Sequence, residues 1–210
     1  MILRVPKEKT RCEIITTLNF SNRNLNSLDK SLLACVNLAK IDISGNRLAS
    51  LPGFLRDFSK LVEIVADDNA VRYVRFELFS KVPVIQLNRC PLLTAAYQKV
   101  INLGLTEESP TDVLTLKETA ARCVAQNLGT SQLPRGLPEG VIAYMRKQKR
   151  CDLCRATFFN HRVILLRFIY RPNCSPILPV FYYCCKRHFT DETSYLHYRF
   201  CTSKELPKHV

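Results

Sequence analysis

The stretch LAKIDISGNRL, residues 38–48, decides the predicted fold. Aliphatic residues stand at its first, fourth, sixth and last positions. Ile41 and Ile43 are two residues apart, as in a short strand that buries one face. Asn46 follows the strand, and its amide can hydrogen-bond the backbone of the turn that leaves it. The stretch therefore predicts a strand and a turn that need a neighbouring element to cover the apolar face.

The same pattern occurs on both sides of this stretch. Four copies start at residues 15, 38, 61 and 82, so their spacings are 23, 23 and 21 residues. A period of this length predicts a leucine-rich-repeat solenoid, in which each repeat buries its apolar face against the next. The copies contain these positions: Ile15, Leu18, Phe20 and Leu25; Leu38, Ile41, Ile43, Asn46 and Leu48; Leu61, Ile64, Ala66, Asn69 and Val71; Val82, Ile85, Leu87, Cys90 and Leu92.

Side chains between the buried aliphatics face outward on the predicted sheet. The concave face of a solenoid is an extended surface that binds other proteins, although an ordinary solvated sheet is the alternative for each residue. The predicted substrate-binding face comprises Lys40, Asp42, Glu63, Asp67 and Gln86.

The stretch TLKETAARCV begins at Thr115 and predicts a helix. Thr115 can cap it, and Glu118, three residues on, can reach back to a free backbone donor. Leu116, Ala120 and Val124 form one apolar stripe at helical spacing. The alternative is a helix that buries this stripe in its own domain. The residues Thr115-Leu116, Ala120 and Val124 resemble an elongin-C-binding BC box, which has an aliphatic, a small and another aliphatic residue at this spacing.

The stretch LPEGVIAYM, residues 137–145, predicts a second short helix. Pro138 suits the first helical turn, where a missing N–H costs nothing. Leu137, Val141 and Met145 continue one face. With Pro138 they resemble a cullin-2 box, and a second register that starts at Leu133–Pro134 satisfies the same pattern.

Composition restricts the setting and chemistry of the chain. Its 210 residues are 47% hydrophobic, and the longest apolar runs, 163–166 and 177–183, are too short to span a bilayer. The N-terminus has no apolar segment typical of a signal peptide. We therefore expect a nuclear and/or cytoplasmic protein, in which the ten cysteines are reduced thiols or metal ligands.

The formal net charge is +13, and eight Lys or Arg face one acid, Asp152, between residues 146 and 171. Such a cluster can neutralise nucleic-acid phosphates. The favoured interpretation is a solvated face that also offsets the charge of metal-bound thiolates.

Cysteine and histidine spacing predicts a zinc site near the C-terminus. Cys151 and Cys154 form a C-x₂-C knuckle, and a hairpin would return Cys184 and His188 toward it. Four protein ligands make a closed, structural zinc site. Cys185 is the alternative third thiolate, and reduced thiols in a small core are the alternative to zinc.

The sequence thus predicts an α/β fold class with three modules. Residues 1–108 hold the leucine-rich repeats with a closing helix at 94–105, and a polar linker follows at 106–111. Residues 109–148 hold the helical segment, with a loop at 129–136, and residues 149–210 hold a β-rich zinc module. Without a phosphate loop or a paired-carboxylate motif in the sequence, we expect no enzyme.

This order of motifs resembles that of the leucine-rich repeat protein 1 family, substrate receptors of cullin-2 RING ubiquitin ligases. The resemblance implies a non-catalytic adaptor that binds elongin C (with elongin B), cullin-2 and a protein substrate. The expected substrate is the replicative helicase during replisome disassembly. The alternative function is a leucine-rich-repeat scaffold whose basic zinc module binds RNA or DNA.

Overall fold

The computed structural model describes residues 2–3, 14–93, 114–127, 137–160, 162–174, 177–186 and 188. The predicted closing helix at 94–105, the linker at 106–111, the loop at 129–136 and the second cullin-box register at Leu133–Pro134 lie outside the described residues. None of the helices in the described ranges is long and apolar enough to cross a membrane.

The described residues form short strands, three α-helices and two 3₁₀ helices. The 3₁₀ helices are Lys30–Ala34 and Gly53–Asp57, and the α-helices are α1 (Phe76–Lys81), α2 (Leu116–Asn127) and α3 (Glu139–Met145). The strands are β1 (Ile2–Leu3), β2 (Thr17–Asn19), β3 (Ser27–Leu28), β4 (Lys40–Asp42), β5 (Glu63–Val65), β6 (Val74–Arg75), β7 (Val84–Gln86), β8 (Lys149–Arg150), β9 (Thr157–Phe158), β10 (Val163–Ile169) and β11 (Leu178–Cys184).

The largest sheet is parallel and has the order β2-β4-β5-β7. Ile41 pairs with Leu18 on one side and Ile64 on the other, and Ile64 pairs with Ile85. The three isoleucines have no exposed surface. Because they occupy one row of the sheet, their side chains form a continuous apolar face, and hydrophobic burial holds these short strands together.

Buried asparagines satisfy the backbone where the chain leaves the parallel sheet. The Asn69 Oδ1 atom accepts from Leu48 N at 3.0 Å, and its amide nitrogen donates to the carbonyls of Ile43, Ala66 and Asp67 at 2.9–3.1 Å. Asn46 makes the equivalent contacts one strand earlier. These bonds confirm the expected role of the asparagine, because unpaired buried backbone groups would destabilise the turns.

The predicted fold class, a leucine-rich-repeat solenoid followed by a helical segment and a β-rich zinc module, is wrong. The described residues form a mixed α/β chain with separate sheets of two, three, four and two strands and with three α-helices. The segments between the parallel strands are two 3₁₀ helices and one six-residue α-helix, and they differ from one another. The repeated spacing of the aliphatic residues indicates where short strands occur. It does not determine the number of strands in each sheet, or which distant segment of the chain pairs with a strand.

A second sheet has the order β10-β11-β6. Strand β11 runs parallel to β6, with Val180 opposite Val74 and Phe181 opposite Arg75. The Phe181 ring also stacks on Tyr73 with centroids 4.2 Å apart. A segment far along the chain therefore covers β6, and local sequence pattern does not predict this pairing.

Arg171, between strands β10 and β11, hydrogen-bonds the C-terminal end of helix α1. Its guanidinium donates to the carbonyls of Val82 at 2.7 Å, Pro83 at 3.1 Å and Phe79 at 2.9 Å. It also lies 3.7 Å from the centre of the Phe79 ring. These contacts satisfy the carbonyls where helix α1 ends.

The chain divides into two compact units. The described residues of the first unit lie within Met1–Ala95 and Arg167–Phe181, and those of the second lie within Ala96–Leu166 and Tyr182–Arg199. The second unit contains α2, α3 and the β8–β9 hairpin. Its core is a small cluster of Ala121, Tyr144, Met145 and Phe159.

The residues of the predicted substrate-binding face are half-buried and alternate with the buried row of the parallel sheet. Lys40 and Glu63 form an ion pair at 2.9 Å across β4 and β5. Asp67 accepts from Asn88 N at 2.8 Å. Their role in binding a substrate stays a prediction, as it does for Asp42 and Gln86.

We predict that Asn69→Ala lowers the free energy of unfolding by about 3 kcal/mol, because it leaves several buried backbone groups without partners. Urea denaturation followed by circular dichroism measures the change. The matched control is Asn88→Ala, since Asn88 is exposed and hydrogen-bonds only at the surface; it should cost less than about 1 kcal/mol. Equal losses in the two variants would contradict the role given to Asn69.

Candidate metal centre and exposed helix

The β8–β9 hairpin carries the Cys151–Cys154 knuckle. Lys149 pairs with Phe158 and Arg150 with Thr157 in antiparallel register, so the knuckle forms the connecting loop. Cys151 N donates to Ala156 O at 2.9 Å, which closes the loop. The hairpin therefore fixes the backbone from which both cysteines project.

Asp152 joins this knuckle to strand β11. Asp152 N donates to Tyr183 O at 2.9 Å, and Tyr183 N donates to the Asp152 carboxylate at 2.7 Å. Cys185 follows the end of β11 and His188 comes three residues later, so the pair of bonds brings the second half of the site beside the first.

Four side chains converge at this point. The ligand atoms of Cys151, Cys154, Cys185 and His188 all lie within 4.8 Å of one another. The Cys154 and Cys185 sulfurs are 3.5 Å apart, and His188 Nε2 lies 3.2 Å from Cys151 Sγ and 3.7 Å from Cys185 Sγ. Ligands of a tetrahedral zinc thiolate site are separated by about 3.8 Å. The group can therefore hold a metal ion with little movement.

The structure places Cys185, rather than Cys184, in this group. The predicted set of Cys151, Cys154, Cys184 and His188 is corrected at this one position, for which the sequence left Cys185 as the alternative. Cys184 ends β11 and Cys185 follows it, and both thiols hydrogen-bond Cys151, but only Cys185 belongs to the group whose ligand atoms all lie close together. Only a structure resolves which of two adjacent cysteines faces the other ligands.

Hydrogen bonds among the thiols of the site shift their pKa values. Hydrogen bonds from Cys184 and Cys185 lower the pKa of Cys151 below its usual range. The bond to Cys151 and burial raise the pKa of Cys184 and of Cys185 above theirs. The lowered pKa of Cys151 favours its thiolate, which is the form of cysteine that binds a cation.

Helix α2 is anchored by a buried carboxylate on one side. Glu118 is 1% exposed, and its oxygens accept from Phe159 N at 2.9 Å, Asn160 N at 3.0 Å and Tyr144 Oη at 2.7 Å. Arg122 Nε lies 2.8 Å from the same carboxylate. The Glu118 carboxylate therefore bonds to Arg122 of its own helix and to the neighbouring elements, and its predicted bond to the start of α2 stays a prediction.

These bonds govern the protonation of Glu118 and Tyr144. Burial raises the pKa of Glu118, but the hydrogen bonds from Phe159, Tyr144, Asn160 and Arg122 outweigh burial and lower the pKa to about 2. Burial and the Glu118 carboxylate raise the pKa of Tyr144 to about 12. Glu118 is therefore charged and Tyr144 neutral at physiological pH.

Thr115 begins α2 as predicted, since Glu118 N donates to Thr115 Oγ1 at 3.2 Å. Leu116 is 85% exposed, and Ala120 is exposed one turn later. Val124 is half-buried and packs on the core cluster of the unit. The predicted stripe is therefore solvent-facing at Leu116 and Ala120 and partly covered at Val124.

The predicted cullin-binding face of α3 is divided. Pro138 and Val141 are exposed, and Leu137 is half-buried. Met145 is 2% exposed and lies in the core. Met145 is a core residue, because helix α3 turns its last turn toward Phe159, and its role in cullin binding stays a prediction.

No protein-family model matches this sequence, and no curated protein matches it significantly.

The hydrogen-bond network around Glu118 is not predicted by the sequence. Phe159 and Asn160 donate through backbone amides, which have no sequence signature. Tyr144 lies outside the predicted apolar face of Leu137, Val141 and Met145. The only local signal is the spacing of Glu118 and Arg122, which are neighbours on a helix surface. That spacing is common on exposed helices and does not indicate burial.

We predict that Glu118→Gln removes a pH-dependent part of the stability of the second unit. The folded pKa of about 2 lies below the reference value of 4.5, so the contribution is complete above about pH 4.5 and is lost as pH falls toward 2. At pH 7 the variant should lose about 2–3 kcal/mol in free energy of unfolding.

Denaturant unfolding of both proteins between pH 2 and pH 7 measures this difference. Protonation of other groups affects both proteins, so the difference between them isolates Glu118. Glu139→Gln, at an exposed position of α3, is the control. A constant difference between wild type and Glu118→Gln across this range would disprove the prediction.

Proposed function

We propose that this chain is a non-catalytic adaptor that docks on elongin C through the exposed face of α2, as the substrate receptor of a cullin-2 ubiquitin ligase. The observation that carries the proposal is Leu116, which is 85% exposed on a helix fixed from behind by Glu118. A leucine at this position has little to contact within its own unit.

The geometry of α2 favours binding to an apolar pocket. Covering one leucine side chain contributes about 1.5–3 kcal/mol. Ala120, one turn away, is small, so a partner backbone can approach closely beside Leu116. Because Glu118 already holds the helix in place, docking requires little additional ordering of the chain.

The neighbouring helix contributes a smaller surface to this proposal. Pro138 and Val141 are exposed and can contact cullin-2, with half-buried Leu137 at their edge. Met145 is left out of the proposed surface because it is buried. The proposed face is therefore shorter than the sequence pattern.

In this proposal the substrate binds the polar side chains of the parallel sheet, with the replicative helicase as the expected substrate. The adaptor accelerates ubiquitin transfer by proximity, since it raises the concentration of substrate near the conjugating enzyme. The nucleus and the cytoplasm are the proposed locations.

We further propose that the Cys₃His group binds one structural zinc ion. Three thiolates and one imidazole suit zinc better than hard cations such as magnesium or calcium. All four positions are protein ligands, so the site leaves no open position for a substrate. The ion would join the β8–β9 hairpin to the end of β11.

Binding of nucleic acid is the less favoured function, because three of the eight basic residues have contacts within the protein. Arg167 is fully buried, and Arg171 donates to backbone carbonyls near α1. Arg162 lies over the Tyr183 ring at 5.1 Å. These three residues have structural contacts that compete with phosphate binding.

We predict about one zinc ion per chain, measured by elemental analysis of the purified protein. Cys185→Ser should lose the zinc, whereas Cys184→Ser should keep it, because only Cys185 belongs to the converging group. The control is Cys174→Ser in the first unit, whose serine oxygen can replace the sulfur near Ile85 N. Loss of zinc from Cys184→Ser with retention in Cys185→Ser would reverse the ligand assignment.

We predict that Leu116→Asp abolishes co-purification with elongin B/C, since it places a charge in an apolar pocket. Its helicity and unfolding midpoint should match the wild type, because the side chain is exposed. Ile177→Asp is the matched control, since Ile177 is also exposed, at 57%, but lies in the first unit. Equal capture of elongin C by the wild type and Leu116→Asp, or no capture by the wild type, would exclude this function.

A further inference from the structure

We infer that occupancy of the Cys₃His site controls how well α2 can dock on its partner. This inference rests on the proposed function for its binding arm, and it goes further by assigning a regulatory role to the metal. Two connections, both within the second unit, link the site to the helix: the β8–β9 hairpin and the side chain of Arg122.

The first connection is the hairpin. Cys151 follows β8, and Phe159 and Asn160 follow β9. The same hairpin therefore carries two metal ligands at one end and two amide donors to Glu118 at the other. The amides of Phe159 and Asn160 lie 2.9 and 3.0 Å from the Glu118 carboxylate. A change in the hairpin backbone changes these bonds directly.

The second connection is Arg122, which bridges helix and metal ligand. Its Nε atom lies 2.8 Å from the Glu118 carboxylate, and its Nη2 atom donates to the backbone carbonyl of Cys185 at 3.0 Å. The side chain of Arg122 is only 13% exposed. The guanidinium therefore holds α2 against the backbone of a residue that binds the metal.

Apolar contacts add little to the attachment of α2. Ala121 is the only buried apolar residue among the described residues of this helix, and Val124 and Ala125 are partly buried against the core cluster. A helix of 12 residues is marginal on its own in water. The position and order of α2 therefore depend mainly on the polar bonds of Glu118 and Arg122, which join the helix to the hairpin, to Tyr144 and to Cys185.

Metal binding acts on both connections at the same time. With the ion bound, Cys151, Cys154 and Cys185 are fixed to one centre, so the hairpin and the Cys185 carbonyl hold a set distance. Without it, only weak hydrogen bonds join the thiols and His188. We expect the hydrogen bonds around Glu118 to open more often in the metal-free unit, because the free energy of metal binding contributes to the folding of the site.

The coupling has a reciprocal consequence. If zinc strengthens partner binding by some factor, the partner must strengthen zinc binding by the same factor. In coupled sites, binding of one ligand commonly changes the affinity for the other by about 5- to 150-fold. We expect roughly tenfold tighter binding of elongin B/C to the zinc-loaded protein than to the chelated protein, in the middle of that range.

The test combines hydrogen exchange with a binding measurement on the full chain, with zinc and after treatment with a zinc chelator. Exchange at the Phe159 and Asn160 amides and along α2 should be about tenfold faster without zinc, as expected for local opening. Elongin B/C affinity should fall in parallel. Cys154→Ser, at the most exposed ligand, should reproduce both effects, and Cys174→Ser should reproduce neither.

Arg122→Lys separates coupling from general unfolding. Lysine can still pair with Glu118 at helical spacing but cannot also reach the Cys185 carbonyl, because it lacks the forked donor group. The variant should keep its zinc, exchange faster along α2, and show a weaker dependence of elongin B/C binding on zinc. Arg146→Lys, at an exposed position after α3, is the matched control.

The outcomes distinguish this inference from the function on which it rests. Equal exchange at Phe159, Asn160 and α2 with and without zinc would overturn the coupling. Zinc-dependent exchange without any capture of elongin C would keep the coupling and reject the proposed partner. Capture of elongin C with the same affinity in both states would keep the partner and reject metal control.

Discussion

The second unit of this protein depends on one buried carboxylate. Removing a charge from water costs several kcal/mol unless hydrogen bonds and an opposite charge replace the solvent. Glu118 has both, through Arg122 and through the donors at Tyr144, Phe159 and Asn160. Because these donors belong to α2, to α3 and to the segment after β9, a single charge fixes three elements at one point.

Buried amides perform the corresponding task in the first unit. Asn46 and Asn69 are neutral and both donate and accept, so the backbone of the adjoining turns satisfies them completely. A neutral amide carries a smaller desolvation cost than a carboxylate and needs no ion-pair partner. The first unit can therefore use such a residue twice at the same position of neighbouring strands, whereas in the second unit the charged residue Glu118 fixes three elements at one point.

The features that could be predicted from the sequence are those whose partners lie close together in the chain. The asparagines repeat with the aliphatic positions around Ile41 and Ile64, so the strands and their turns could be located. Thr115 could be assigned because helix capping is a local interaction between residues three apart. The Cys151–Cys154 knuckle could be assigned because its ligands are close in sequence. In each case the relevant partners lie within one short segment.

Features that depend on distant partners were missed or wrong. Glu118 bonds to amides that are 41 and 42 residues away, and no periodic pattern marks such a pair. Sequence spacing did not separate Cys184 from Cys185, and the structure places Cys185 in the ligand group. The solenoid prediction failed for the same reason: a repeated local pattern does not specify that β11 covers β6.

The unusual polarity of helix α2 connects the fold with the proposed function. An amphipathic helix normally buries its leucine and exposes its glutamate. In α2 the arrangement is reversed, because Glu118 is 1% exposed and Leu116 is 85% exposed. The bonds to Glu118 stabilise this orientation of the helix. They leave the apolar side chain of Leu116 in contact with water, which is unfavourable. A partner that covers Leu116 removes that unfavourable contact, and the hydrogen bonds behind the helix keep the side chain in position for it.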